Sequence, residues 1–227
     1  MVLASVSSRV LQMIPNLIIP TLNQYEKLQR MVSGIDYPVE HLLIIDNGGR
    51  LNDVFIPSLV QKLTILNMPS NLGVATSWNL GIKSFPHADR WFVASDDVMF
   101  EPGALEDWYN ISHRERLITS DESPHWQFFC IGEEVVGNVG LFDEAIHPAN
   151  FEDDEYEWRC EQLGYEVLRA DIPHFHEKHS TVFSPEYVSK NRGSYVLNES
   201  YFETKKRERD YSDGFWTLSR RRILSWD

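Results

Sequence analysis

The feature that most constrains the fold is a pair of short, continuous apolar runs, each closed by polar residues, with a helical pattern between them. Leu17-Ile18-Ile19 ends at Pro20, and Leu42-Leu43-Ile44-Ile45 ends in Asp46-Asn47-Gly48-Gly49. Runs of this length and branching read as strands buried on both faces. Between them Leu28, Met31, Val32 and Ile35 recur at i, i+3, i+4 and i+7, one face of a helix that Gly34 and Pro38 close. Asn23, with Glu26 three residues on, predicts a capping box at that helix's start. Strand, helix and strand in this order make the βαβ unit of a parallel sheet.

The pattern continues. Leu63-Thr64-Ile65-Leu66 predicts a third strand, and Val74, Trp78, Ile82 and Phe85 share one face of the next helix. Arg90 to Ala94 reads as a fourth strand that runs straight into Ser95-Asp96-Asp97. Residues 127–131, 134–139 and 166–168 read as further strands, with Gly132 as a turn between the first two. Residues 153–163 read as a helix with Tyr156, Cys160 and Leu163 on one side and Gly164 as its stop. After about residue 184 the periodicity weakens. The predicted class is α/β, one Rossmann-like domain with a mostly parallel central sheet flanked by helices. It is expected to span residues 1–204, with a basic tail or helix at 205–227.

Composition excludes several function classes. The chain has 21 Lys+Arg against 34 Asp+Glu, a net charge of -13, which does not suit a general polyanion binder. Its two cysteines, Cys130 and Cys160, form no Cys-x-x-Cys pair, so neither a zinc ribbon nor a redox dithiol is expected, and both read as reduced core residues. No apolar run approaches the ~20 residues of a membrane span. With no Lys or Arg before Arg9, a secretory signal is not expected and the location expected is cytoplasmic.

In open α/β sheets, ligands collect at the carboxyl ends of the strands. Three polar loops fall there: Thr21-Leu22-Asn23, Asp46-Asn47-Gly48 and Ser95-Asp96-Asp97. Aspartates at a strand end can open a turn, or hold Mg²⁺ or Mn²⁺, which bridge to phosphates with one or two protein ligands. Asp46 fits both a tight Asn-Gly turn and acceptance of hydrogen bonds from a nucleotide base or ribose. Residues 143–157 hold seven acids and no Lys or Arg, with Glu152-Asp153-Asp154-Glu155 consecutive after Phe151. The helix dipole accounts for two or three of these. The remaining crowding raises carboxyl pKa values, as a general base requires. His174, His176 and His179 fall within six residues, and alternation puts His174 and His176 on one strand face. Each reads as a packed or surface histidine, or as the residue that completes a metal site with a distant aspartate. Asn71-Leu72-Gly73, with Asn79 beyond it, marks a turn and a helix start, and is neither a dinucleotide fingerprint nor a P-loop.

Taken in order, these segments resemble the GT-A fold glycosyltransferases, family 2 type. The segments that match are Ile19-Pro20-Thr21-Leu22-Asn23, Leu43-Ile44-Ile45-Asp46-Asn47-Gly48, Asn71-Leu72-Gly73-Val74-Ala75 with Trp78-Asn79-Leu80-Gly81, and Ser95-Asp96-Asp97-Val98 with Glu101-Pro102-Gly103-Ala104-Leu105. Val139-Gly140-Leu141-Phe142-Asp143-Glu144, Phe151-Glu152-Asp153-Asp154-Glu155-Tyr156, and Arg159 with Gly164-Tyr165 follow, so the resemblance covers roughly residues 16–182. It implies a single GT-A domain that transfers a sugar with inversion from a nucleotide diphosphate sugar, assisted by Mn²⁺ or Mg²⁺. By position, Pro20, Thr21, Asn23 and Asp46 would hold the nucleotide, and Asn79 would line the diphosphate side. Asp96 and Ser95 fall in the family's Asp-x-Asp stretch as donor-binding positions. Asp97 matches its last, metal-binding aspartate. Asp153 matches the catalytic base, with Glu152 tuning it, and His176, or His174 beside it, matches a late metal or diphosphate ligand. Two departures stand out. Ser95 replaces the usual first aspartate, and a late Asn-x-x-Tyr-Phe-x-x-Lys-Trp pattern appears at 198–206 without its Trp.

Two rival functions compete. A sugar nucleotidyltransferase would favour a basic, Gly-rich loop, and none precedes Lys27. A non-catalytic nucleotide-sugar-binding module would fit Ser95 but not the intact Glu152-Asp153. The acceptor is open between a glycan, a lipid-linked sugar, a protein side chain and a modified nucleic acid. From Lys205 to Arg222 seven basic residues face three acidic ones, which reads as a solvated or packed segment or as peripheral contact with an anionic acceptor surface.

Overall fold

The computed structural model describes residues 12–177 and 187–213. Nine strands and six helices alternate through them. The strands are β1 (Leu17–Thr21), β2 (Val39–Asp46), β3 (Val60–Asn67), β4 (Arg90–Ala94), β5 (Val98–Phe100), β6 (Leu117–Ser120), β7 (Phe128–Gly132), β8 (Val167–Ala170) and β9 (His174–His176). The helices are α1 (Tyr25–Ser33), α2 (Val74–Lys83), α3 (Ala104–Ile111), α4 (Glu133–Val139), α5 (Glu152–Gln162) and α6 (Val188–Glu208). Seven strands form one sheet in the order β3-β2-β1-β4-β7-β6-β8, and β5 pairs with β9 in a small second sheet. Only β7 runs against its neighbours in the large sheet.

The early strands are apolar throughout because both of their faces are covered. Leu17, Ile19, Leu42 and Ile44 point to one side, into a core with Leu28, Met31 and Val32 of α1 and Trp108 of α3. Ile18, Leu43 and Ile45 point to the other, against Ala75, Trp78 and Ile82 of α2 and Tyr156 and Cys160 of α5. Gly81 lets α2 lie close on β1, since a Cβ there would stand 2.5 Å from Ile18 Cγ2. Cys130 and Cys160 are both buried and neither is in a disulfide. Among the described residues no helix is long and apolar enough to cross a membrane.

Three local expectations change. Residues 134–139 lie in helix α4, not a strand. A run of valines this short suits either period. Here Glu133 and Glu134 occupy the first turn while Val135, Val136 and Val139 turn inward. No capping box forms at α1: its N-cap is Gln24, and Asn23 sits at φ +58 with its amide donating to the Tyr187 hydroxyl at 2.8 Å. Finally, the weakly periodic segment after 187 holds the longest helix, α6. Its inward residues include Asn198, Phe202 and Lys205, so no apolar stripe announced it. The expected boundary between 204 and 205 falls inside this helix, and residues 214–227 lie outside the described residues.

Candidate functional site

β1, β2 and β4 are parallel neighbours, so their carboxyl ends place the three polar loops side by side. Thr21 stands beside Asp46 in the register, and its buried hydroxyl donates to Asp96 Oδ2 at 2.5 Å. Burial pushes the Asp96 carboxyl up to about 7, against the pull of the Thr21 hydrogen bond, while the nearby Asp97 charge raises it and that of Lys27 lowers it. Ser95 continues β4's pairing, donating its N–H to Gln127 O at 2.8 Å. Pro20 pairs beside Ile45 within β1, one residue before the loop.

Asp97 meets a strand from the far end of the chain. β9 pairs antiparallel with β5, setting His176 opposite Val98. His176 Nε2 thereby lies 3.2 Å from Asp97 Oδ1, both side chains largely buried. The other ring nitrogen, Nδ1, is buried with no hydrogen-bond partner among the described residues. Glu177 donates its N–H to Asp97 O at 3.1 Å, and its carboxylate bridges Lys27 (3.1 Å) and Arg30 (2.7 Å) of α1. His174 faces the same way but lies two residues along and is engaged elsewhere. Its Nδ1 is 2.6 Å from Ile172 O and its Nε2 2.5 Å from Gln127 Nε2. The structure therefore brings His176 to Asp97, and not His174; His179 lies outside the described residues.

The donor set suits a hard divalent cation. Two donors bound at right angles at about 2.1 Å stand about 3 Å apart, close to the separation of this carboxylate oxygen and imidazole nitrogen. Among the described residues no group of three or more His, Cys, Asp or Glu side chains could hold a metal. Such a pair leaves most positions to water and phosphate oxygens, the usual state of Mg²⁺ with a diphosphate.

Two expected donor ligands have other work. The Asp46 carboxylate is buried and accepts from the N–H groups of Gly48 (2.9 Å), Arg50 (2.7 Å) and Leu51 (2.8 Å) and from the Tyr25 hydroxyl. Its lone pairs organise the turn. Asn79 is buried too; its amide donates to Phe142 O (2.9 Å) and Glu144 Oε1 (2.8 Å) and accepts from Phe142 N (2.9 Å). It ties α2 to the 142–144 loop, so the diphosphate contact expected of it has no remaining donor.

That loop leads to the acidic cluster. It reaches the same end of the sheet, because Pro148 O accepts from Val74 N at 2.7 Å at the start of α2. Gly73, at φ +81, permits this approach, since a Cβ would stand 2.7 Å from both His147 Nδ1 and Pro148 O. The seven acids then sort themselves. Glu144 pairs with Lys83, Glu157 with Arg169, and the buried Glu155 with Arg159 and Lys205. Asp143 pairs with Lys205 at 2.5 Å and accepts from the Tyr201 hydroxyl. Glu152, Asp153 and Asp154 remain, crowded into the first turn of α5. Burial, with the Asp153 charge, pushes the Glu152 carboxyl well above the usual carboxylate range, and its Oε2 has no partner among the described residues. Asp153 is partly exposed; desolvation first, then the Asp154 charge, raises it to about 6. A carboxylate that ionises near 6 is poised to accept a proton at neutral pH.

Residues that the functional reading of the sequence passed over complete the site from α6. Asn198, Tyr201, Phe202 and Lys205 are spaced i, i+3, i+4, i+7, and each reaches the loop before α5 or α5 itself. The late motif was the available signal. Lys205 is turned inward, Lys206 pairs with Glu203, and Arg207 donates to Thr204, so the first part of the basic run serves the fold.

No protein-family model matches the chain. It is 21% identical over 268 residues to a galactofuranosyl glycosyltransferase of Leishmania donovani, a match that takes in 83% of this chain and 62% of that protein. The chain thus spans less than two thirds of that relative's length. Among solved structures it resembles the catalytic domain of Drosophila β1,4-galactosyltransferase 7 in complex with xylobiose, at 15% identity over 79% of each chain with a TM-score of 0.50. A mutant of that enzyme complexed with manganese, UDP-Gal and xylobiose matches at 14% identity, over 79% of each chain, with the same TM-score of 0.50. Staphylococcus aureus TarS, residues 1–349, matches over 72% of this chain and 60% of that one, at 14% identity and a TM-score of 0.50.

Proposed function

We propose that this chain, whose fold is that of the GT-A glycosyltransferases, transfers a sugar from a nucleotide diphosphate sugar to an acceptor hydroxyl. The observation that carries the reading is the Asp97–His176 pair, assembled at the carboxyl end of β4 beside Thr21 and Asp96. The distant likeness to a galactofuranosyl glycosyltransferase, and to an enzyme crystallised with manganese, UDP-Gal and xylobiose, supports it.

In this reading the loops after β1, β2 and β4 receive the nucleotide. Thr21, Asn23 and Asp96 offer its polar contacts, and Asp46 holds the turn after β2 in place. Asp97 and His176 would hold Mn²⁺ or Mg²⁺, which supplies charge neutralisation at the departing diphosphate. Lys27, ion-paired with Glu177, adds positive charge near Asp96. Asp153 takes the proton of the acceptor hydroxyl as its oxygen attacks the anomeric carbon. The bond from that carbon to the diphosphate oxygen breaks on the opposite side, its electron pair leaving with the diphosphate, so the configuration inverts. The ring carries oxocarbenium character at the transition state. Burial disfavours charge on Glu152, so Asp153 is the member of the dyad that ionises more readily.

The test is to offer the protein mixed nucleotide sugars with Mn²⁺ and measure nucleoside diphosphate release, with and without glycan acceptors. Release that requires Asp97 and Asp153 is the expected result. Binding without turnover would favour a nucleotide-sugar-binding module, and pyrophosphate release from a sugar phosphate and a nucleoside triphosphate would favour a nucleotidyltransferase.

A further inference from the structure

The two residues immediately before Glu152-Asp153 are in an unusual backbone state. Asn150 lies at φ +77 and Phe151 at φ +75. Asn tolerates this left-handed region, but for a Phe it is a true outlier. Two consecutive non-glycine residues stay there only where their surroundings over-determine them. An ordinary Ser or Asp N-cap would start α5 without such strain.

The surroundings come from α6. Asn198 is 4% exposed, and its Nδ2 donates to Ala149 O at 3.0 Å and to Asn150 O at 3.2 Å. These bonds fix the peptide planes on either side of Asn150. The Phe151 ring is held by Tyr195 of the same helix, with centroids 4.7 Å apart. Phe151 O then accepts from Glu155 N at 2.9 Å, the first bond of α5. Lys205, two turns beyond Asn198, locks α6 to α5 through Glu155 at 2.7 Å. The turn is therefore clamped from about fifty residues away, at the one point of the chain where the acidic dyad begins.

We propose that Asn198 is a positioning residue for sugar transfer: its carboxamide, gripping the carbonyls of Ala149 and Asn150, holds the left-handed turn that aims Asp153. This rests on the reading of Asp153 as the base. The clamp acts on the acceptor side of the reaction, so donor binding is independent of it.

Three variants of the full chain test this: Asn198→Ala, Asn150→Gly and the double variant. Glycine adopts positive φ freely, so Asn150→Gly lowers the cost of the turn at the residue whose two peptide planes Asn198 grips, at the loss of the Asn150 Nδ2 bond to Ala149 O. Asn198→Ala is expected to lower transfer kcat at least ~10-fold, the scale of a small misplacement of a reacting group, with donor KM within about twofold. It should also lower Tm by a few degrees. Adding Asn150→Gly should recover most of both losses. No recovery in the double variant, unchanged kcat in Asn198→Ala, or a parallel rise in donor KM would overturn the proposal. If Asn198→Ala does not fold, Asn198→Ser keeps one donor and should give an intermediate kcat that Asn150→Gly again restores; no recovery there overturns it equally. Should the unmodified protein transfer no sugar, the reading of Asp153 fails by itself. Rescue of Tm by Asn150→Gly then still upholds the clamp, and its absence refutes it.

Discussion

At the scale of single residues, chemistry here depends on which charges find partners. Of the seven acids in 143–157, four are neutralised by Lys83, Arg159, Arg169 and Lys205, and the three at the start of α5 are left to repel one another. Asp153 ionises near 6, so its ionised, proton-accepting form grows as pH rises. Turnover should climb through pH 6 and level off above it. Asp153→Asn should lower kcat by at least ~100-fold at pH 7 while donor affinity is kept. Its stability effect has the opposite sense. A carboxyl whose folded pKa lies above the ordinary 3.8 contributes stability that is complete below 3.8 and lost as pH rises through about 6. The Asn variant should therefore melt higher than the parent at pH 8 and nearly equal to it at pH 4, as calorimetry would show. Asp97→Ala is expected to abolish Mn²⁺-stimulated turnover with cooperative unfolding intact. Full activity of that variant, or of the parent in excess chelator, would exclude the metal reading.

At the scale of elements, α6 is the part whose role composition conceals. Its amino-acid pattern is polar, yet Lys205 sits 2% exposed between Asp143 and Glu155, with Ser212 O as a third partner. Removing one member of a buried ion network strands the others and costs about 3–5 kcal/mol. Lys205→Met should accordingly lower Tm by roughly 10 °C for a chain of this size. Lys206→Met, next to it and half-exposed, should change Tm by no more than about 2 °C, since surface pairs contribute under about 1 kcal/mol. Equal effects of the two would show that the inward orientation of Lys205 does not matter for stability.

For the whole molecule, the order of the large sheet sets the ends of β1, β2 and β4 side by side, the β5–β9 pair adds His176, and α6 packs on the loop before α5 and on α5 itself. A truncation after residue 204 removes Lys205 and Asp213, both buried, and leaves Asp143 and Glu155 short of a cation. Such a protein should lose cooperative unfolding or melt far below the parent. If it folds normally and still releases nucleoside diphosphate, α6's last turn is dispensable and the basic run regains its claim as a recognition tail.

Much of this was legible in the order of residues alone. The βαβ opening, the four early strands, α2, α5 and its Gly164 stop follow from apolar period and turn chemistry, which are local properties. So does the gathering of Thr21, Asp46 and Asp97 at strand ends, because parallel neighbours must share an end. Three decisions belong to tertiary contact. His176 rather than His174 meets Asp97 because β9 pairs with β5 in one register. Asn79 is taken up by the 142–144 loop, whose carbonyl and carboxylate reach its amide from more than sixty residues away. The backbone turn that presents Asp153 is held by Asn198. No local pattern carries such facts, since each depends on which distant group arrives to satisfy a buried donor or acceptor.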